Sequence, residues 1–313
     1  MIDETLIQDI IKSKQDPVYF IEKYCKILHP RYGIITPSLY DKQKELVQEI
    51  LNYPFLIILK SRQIGVSTLY ALVSVWMLIF FPKFRIGIIS RDKNEAISFA
   101  ERIERALLSV PEILYGGFLE NNKFNKKLGN ESEIIVSAPV KHALRGETLN
   151  YVILDEVVAM NFIEHIYQSV FYTIQHNFVN LENGELKPIK NIPSGISLIS
   201  TGGIIDWKHP ASCRGAIWFK QKWEEALSQS GDIKFKPIRI HWSETPFFNS
   251  EWYEKQKEIL NYNEDMIKTE LECEFVEKSL DEVAYAELHE VKQLKFPNVK
   301  FKEIPYDKFV QEK

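Results

Sequence analysis

The apolar run Phe55-Leu56-Ile57-Ile58-Leu59, followed at once by Lys60-Ser61-Arg62-Gln63-Ile64-Gly65-Val66-Ser67-Thr68, constrains this chain more than any other stretch. A short, continuous apolar run has the character of a strand buried on both faces, which belongs in a parallel sheet covered by helices. The residues after it have the frame of a phosphate-binding loop, GxxxxGK[ST]. In that loop backbone N–H groups cradle phosphates, a lysine reaches the terminal phosphates and a hydroxyl holds a metal. Aligned on Gly65 and Ser67, the lysine position holds Val66 and the first glycine position holds Lys60. Either the site is disabled or Lys60 supplies the charge from the opposite end of the loop. The loop alone leaves both readings open.

The apolar run from Leu69 to Phe81 is about a dozen residues long, carries Ser74 and stops at Pro82, so it predicts a buried helix and is too short to span a bilayer. Arg85 to Ser90 reads as the next buried strand. Asp92 to Leu108 has helical spacing, with Ile97, Ala100, Ile103, Ala106 and Leu107 on one side. Asn121 to Asn130, with Lys123, Lys126 and Lys127, reads as a basic turn or hairpin tip before the strand Glu133 to Ser137. Tyr151 to Leu154 and Ile196 to Ser200 complete a set of about five buried strands alternating with helices, which predicts an α/β fold with a mostly parallel sheet.

Residues 180–194 are polar, with Gly184, Pro188 and Pro193, and read as a loop or short hairpin. From Asn249 the chain turns charged and helical in spacing, and from Val291, with Pro297 and Pro305, it reads as a linker or peripheral strand. The expected divisions are an N-terminal arm over 1–36, a core over 37–248, a small lid over 249–290 in which the arm takes part, and a tail over 291–313.

A formal net charge of −4 and a pI near 6.1 give no global footprint for nucleic acid. Backbone phosphates would have to be met by local cations, for which Lys83, Arg85, Arg91, Lys93, the tip lysines and Lys141 are candidates. Cys25, Cys213 and Cys273 lack metal-ligand or CxxC spacing, which fits reduced thiols. The acidic N-terminus has neither the basic nor the apolar region of a signal peptide, so a cytoplasmic protein without a membrane span is expected.

Tyr151-Val152-Ile153-Leu154 ends in the paired carboxylates Asp155-Glu156. At the C-terminal edge of a parallel sheet, that places Asp155 beside a metal held by Ser67, and Glu156 where it could orient and deprotonate a water. Ser200-Thr201-Gly202 ends the following strand, where hydroxyls could sense the terminal phosphate; in isolation the same residues read as a glycine turn capping a strand.

In these motifs, and in their order, the chain resembles the ATPase domain of large terminase subunits, the DNA-packaging motors of tailed bacteriophages. The resemblance extends to Pro17-Val18-Tyr19-Phe20-Ile21, to Leu39-Tyr40-Asp41-Lys42-Gln43 and to Glu270-Leu271-Glu272-Cys273-Glu274-Phe275. It implies a RecA-like P-loop core of the additional-strand, catalytic-glutamate class with a lid, acting on ATP with Mg²⁺. It also implies that Lys60 is a displaced loop lysine, that residues 60–68 bind nucleotide, and that Gln43 bonds adenine. Ser200, Thr201 and Gly202 would couple hydrolysis to movement. Arg62 would act on the γ-phosphate in cis, and Arg145, in Ala143-Leu144-Arg145-Gly146, would act in trans, with a DNA or loop contact as the alternative for Arg145. The implied partners are double-stranded DNA, a homo-oligomeric ring taken as five copies on a procapsid portal, and the small terminase subunit, all in the host cytoplasm. Family members usually continue into a nuclease. Asp281, Glu282, Glu287 and Glu290 lack the strand frame of its metal ligands, so the motor half alone, without nuclease activity, is expected. A superfamily 2 helicase fragment and a non-hydrolysing P-loop scaffold are the competing readings.

Overall fold

The computed structural model describes residues 4–29, 32–180, 186–189 and 192–278. Helices Glu4–Gln15 (α1) and Pro17–Tyr24 (α2) open the chain, the second started by Asp16, whose carboxylate accepts the Tyr19 N–H at 3.0 Å. Pro17 follows at the position whose missing N–H costs nothing. The hairpin Ile27–His29 (β1) with Gly33–Ile35 (β2) leads to Asp41–Asn52 (α3). The strand expected before the loop forms as Phe55–Lys60 (β3), buried throughout, and the helix after it as Val66–Phe80 (α4). Arg85–Ile89 (β4) and Lys93–Leu107 (α5) follow; Asp92 caps α5 by accepting the Asn94 and Glu95 N–H groups.

Of the expected basic tip, Lys123 lies in the turn of a hairpin between Phe118–Asn121 (β5) and Asn125–Leu128 (β6), while Lys126 and Lys127 lie in β6 itself, which runs into Glu133–Ser137 (β7). Tyr151–Asp155 (β8), Ile163–Ile174 (α6), the hairpin Phe178–Asn180 (β9) with Leu186–Pro188 (β10), and Gly195–Ser200 (β11) come next. Ile204–Asp206 (β12), Arg214–Ser228 (α7), Lys236–Ile240 (β13), Ser250–Ile259 (α8), Glu264–Glu270 (α9) and Val276–Lys278 (β14) end the described chain.

The main sheet has eight strands in the order β13-β3-β11-β8-β4-β7-β6-β5. Every neighbouring pair from β13 to β7 is parallel, and β6 and β5 extend the sheet antiparallel. β11 separates the loop strand β3 from the acidic strand β8, the arrangement expected of the additional-strand class. Alternation along the strands splits the core. Leu56, Ile58, Tyr151 and Ile153 face α2, α3, α4 and α5, while Ile57, Leu59, Val152 and Leu154 face α6 and α7.

β13 is a strand that the apolar pattern does not announce. Lys236, Pro237 and Arg239 interrupt it, which a strand tolerates at the edge of a sheet, where β13 lies. The N-terminal arm packs on α4, with Phe20, Ile21 and Cys25 in its core cluster and the Ser13 carbonyl accepting the Trp76 indole N–H at 2.9 Å. Asn249 caps α8, the stretch from Glu251 to Leu271 that reads as helical is broken between α8 and α9, and residues through Glu277 belong to one unit with the core. The tail over 291–313 and the carboxylates from Asp281 to Glu290 lie outside the described residues. No helix among the described residues is long and apolar enough to cross a membrane, and all three cysteines are free.

Candidate active site

After Lys60 the chain leaves β3 and turns through two left-handed residues, Gln63 at φ 64° and Gly65 at φ 82°, to start α4. Such a φ is uncommon for a residue with a Cβ and ordinary for glycine. A Cβ on Gly65 would also come within 3.2 Å of Gln43 Nε2, so the Gln43 amide already lies against the loop. Val66, in the usual lysine position, is 4% exposed and packs in the core cluster of α4. The Ile64 carbonyl accepts the Tyr40 hydroxyl at 3.0 Å, and the Tyr40 ring meets Phe247 edge-on with centroids 6.4 Å apart. Phe247 is 75% exposed and stands as an open aromatic face beside the loop.

Parallel pairing brings the acidic strand to the same edge: Leu59 lies opposite Ser200, and Ile199 opposite Asp155. Here Ser67 Oγ donates to Asp155 Oδ2 at 2.9 Å, and Lys60 Nζ donates to Glu156 Oε1 at 2.9 Å. Lys60 is 5% exposed, so Glu156 serves as the counter-charge of a buried ammonium. Glu156 itself is left-handed at φ 58° and opens the 3₁₀ turn Val157–Ala159. A non-glycine residue held there is strained, and such strain gathers at functional positions.

Burial pushes the Asp155 carboxyl up to about 6, against the pull of Lys60 and with the added push of Glu156. Its Oδ1 is buried without a hydrogen-bond partner. One orphaned carboxylate oxygen beside a serine hydroxyl suits Mg²⁺, which takes one or two carboxylates and leaves its other positions to water and substrate phosphates. Among the described residues no group of three or more His, Cys, Asp or Glu could hold a metal by itself.

The start of the loop is fastened to the far end of the chain. The Ser61 N–H donates to the Ile240 carbonyl at 2.9 Å, its hydroxyl donates to the Leu271 carbonyl and accepts the Trp242 N–H. The Arg62 N–H bonds the Glu270 carbonyl at 2.7 Å, and its guanidinium pairs with the Glu270 carboxylate at 2.8 Å. Arg62 is therefore held by Glu270 in this state. Ser200 Oγ accepts the Val158 N–H at 3.2 Å, just past Glu156, and Thr201 is buried with its hydroxyl donating to the Gly202 carbonyl at 3.2 Å. The Gly202 N–H bonds the Thr269 carbonyl at 3.0 Å, and a Cβ there would lie 1.8 Å from the Glu274 carbonyl oxygen. The phosphate loop and the Ser200-Thr201-Gly202 motif thus press on one segment, residues 269–274.

Arg145 stands apart. It lines a surface cavity of about 550 Å³ with His142, His165 and Tyr172, and no loop residue contributes to that lining. Two cations expected at nucleic acid have structural roles instead: Arg85 bridges Glu133 and Glu147 at 2.7 Å each, and Lys126, 4% exposed, pairs with Glu104 at 2.7 Å. Sequence reasoning missed Glu270 and Phe247. Glu270 lies in a segment singled out only by resemblance, and Phe247 had the signal of two adjacent aromatics, Phe247-Phe248, just before the Asn249 helix start.

No family model matches the chain. In fold it is similar to the large terminase of a thermophilic bacteriophage, with 11% identity and a TM-score of 0.53 over 75% of this chain and 53% of that one. The ATPase domain of the large terminase of Thermus phage P74-26 is 18% identical, with a TM-score of 0.53 over 76% of this chain and 94% of that one. The bacteriophage HK97 large terminase is 15% identical, with a TM-score of 0.54 over 82% of this chain and 54% of that one. The chain spans about half the length of the first and the last of these three proteins. Low identity with matching topology makes this a likeness of architecture: the chain has the fold of large terminase ATPase domains.

Proposed function

We propose that this chain is the ATP-hydrolysing motor part of a viral large terminase, coupling hydrolysis to the movement of double-stranded DNA into a procapsid. The observation that carries this reading is the meeting of Lys60, Ser67, Asp155 and Glu156 at one sheet edge, in two 2.9 Å contacts. The large terminase of the thermophilic bacteriophage, solved in complex with ADP, matches this fold with a TM-score of 0.51 at 11% identity.

Phosphates would lie on the N-terminus of α4, where backbone donors and the helix dipole favour anions, and Gln43 and the open face of Phe247 would receive the base. Lys60 would exchange Glu156 for the β- and γ-phosphates, since either partner neutralises its buried charge. That exchange would free Glu156 to accept a proton from the attacking water. Mg²⁺, held by Ser67 and Asp155 directly or through water, would neutralise charge on the phosphates. Arg62 would leave Glu270 for the γ-phosphate, and its release would be felt by residues 269–274 together with Gly202. Arg145 would complete a neighbouring copy's site in a ring of five on a portal, which makes the isolated chain a weak ATPase. The small terminase subunit and the host cytoplasm belong to the same reading.

A superfamily 2 helicase needs a second RecA-like sheet, and the described residues hold one such sheet. A non-hydrolysing scaffold is separated by turnover. ATP hydrolysis by the wild type, Lys60→Ala and Glu156→Ala is the deciding measurement, and hydrolysis unaffected by both substitutions would sink this proposal.

A further inference from the structure

Lys26, just before β1, and Arg102 and Arg105, one turn apart on α5, line a small cavity of about 150 Å³ with Thr68 of α4 and the apolar Leu28 and Leu72. No lining residue is acidic. Arginines nearby behave differently: Arg62 pairs with Glu270, Arg85 with Glu133 and Glu147, and Arg91 with Glu95. Among the described residues, no carboxylate lies within ion-pair distance of Lys26, Arg102 or Arg105, and Asp155 and Glu104 act on Arg102 and Arg105 only from beyond it. Arg105 Nε reaches only the Glu101 carbonyl of its own helix, at 3.3 Å, and the Arg102 guanidinium lies 6.0 Å from the Phe99 ring centroid. Three cations around one cavity repel one another, and an anion between them turns that repulsion into attraction.

We propose that this cavity is a binding site for a small phosphate-type oxyanion, beside the phosphate loop and touching it only at Thr68. Its volume suits one tetrahedral anion. Arg102 and Arg105 supply planar forks matched to phosphate oxygens, Lys26 a point charge, and Thr68 a neutral donor. Thr68 follows Ser67 directly, so an occupant would sit one residue from the hydroxyl that meets Asp155. Inorganic phosphate in solution is the source favoured, with a backbone phosphate of DNA as the competing one.

The test follows the thermal midpoint of the full chain as phosphate replaces chloride at constant ionic strength. The wild-type midpoint is expected to rise by about 3 °C at saturation. The double variant Arg102→Gln, Arg105→Gln should lose the rise while starting from a higher phosphate-free midpoint, because the repulsion is gone. Thr68→Val, which keeps all three cations, should weaken phosphate binding about tenfold. Lys60→Ala, which disables phosphate binding at the loop, should keep the rise. A rise that survives the double variant, one abolished by Lys60→Ala alone, or one matched by chloride overturns the site. Arg102-dependent protection by a DNA duplex without any response to phosphate overturns the choice of a small anion.

Discussion

At the loop edge of the sheet, Lys60 pairs with Glu156, Arg62 with Glu270 and Ser67 with Asp155, whereas Arg145 faces an open cavity with no ion pair to a described carboxylate. The first region satisfies its own charges, whereas the second carries a cation to the surface of a cavity that Glu147 also lines. On the proposed reading the loop residues would exchange these partners for a ligand, and Arg145 would complete a neighbouring copy's site.

The contrast breaks most visibly at Arg145. Arg145→Ala should lower turnover about 10⁴-fold in the assembled oligomer and only a few-fold in the isolated chain, read from rates measured against enzyme concentration. Equal losses in both states would make Arg145 part of its own chain's site. Glu156→Gln should cost about 10³-fold in turnover in either state while nucleotide still binds, as fluorescent-nucleotide titration beside single-turnover hydrolysis would reveal. Lys60→Ala should cost about 10²-fold and weaken nucleotide binding as well; intact binding would mean that Lys60 stays on Glu156 throughout.

The smallest effect concerns Asp155. Its folded-state pKa, raised from 3.8 to about 6, means that the native state keeps a proton that the unfolded chain has released between those values. Stability should therefore fall as pH rises through that window, and Asp155→Asn should flatten the profile. Urea midpoints at pH 4.5 and 7 would measure it, and a wild-type profile as flat as that of the variant would remove the case for an orphaned carboxylate.

Much of the site was legible because it is local. Phe55 to Leu59, the glycine at 65 and the Asp155-Glu156 pair each declare themselves within a few residues, and the mostly parallel sense of the sheet follows from the buried character of its apolar runs, though their order does not. What stayed hidden is long-range. Nothing near Lys60 announces Glu156 as its partner, and nothing near Ser61 announces Leu271. β13 was hidden because Pro237 and Arg239 read as loop chemistry until an edge position excuses them. Arg85 and Lys126 look like surface cations in sequence; only the fold sets Glu133, Glu147 and Glu104 against them. Lys60 itself could be named but not placed, because a lysine at the end of a strand can point to either face of the loop.

The fastening of Ser61 and Arg62 to residues 270 and 271 has a consequence for the order of events during synthesis. Chains emerge from the ribosome N-terminus first, at about 5–20 residues per second. The loop sequence is thus out in the open for many seconds before β13 arrives beside β3 and before Glu270 and Leu271 arrive to hold the loop. A ribosome-bound chain stopped short of residue 270 would carry every residue of the Lys60, Ser67, Asp155 and Glu156 cluster yet lack the groups that bond Arg62 and accept the Ser61 hydroxyl. Of the contacts that hold the start of the loop, those to Glu270 and Leu271 are therefore the last that can form.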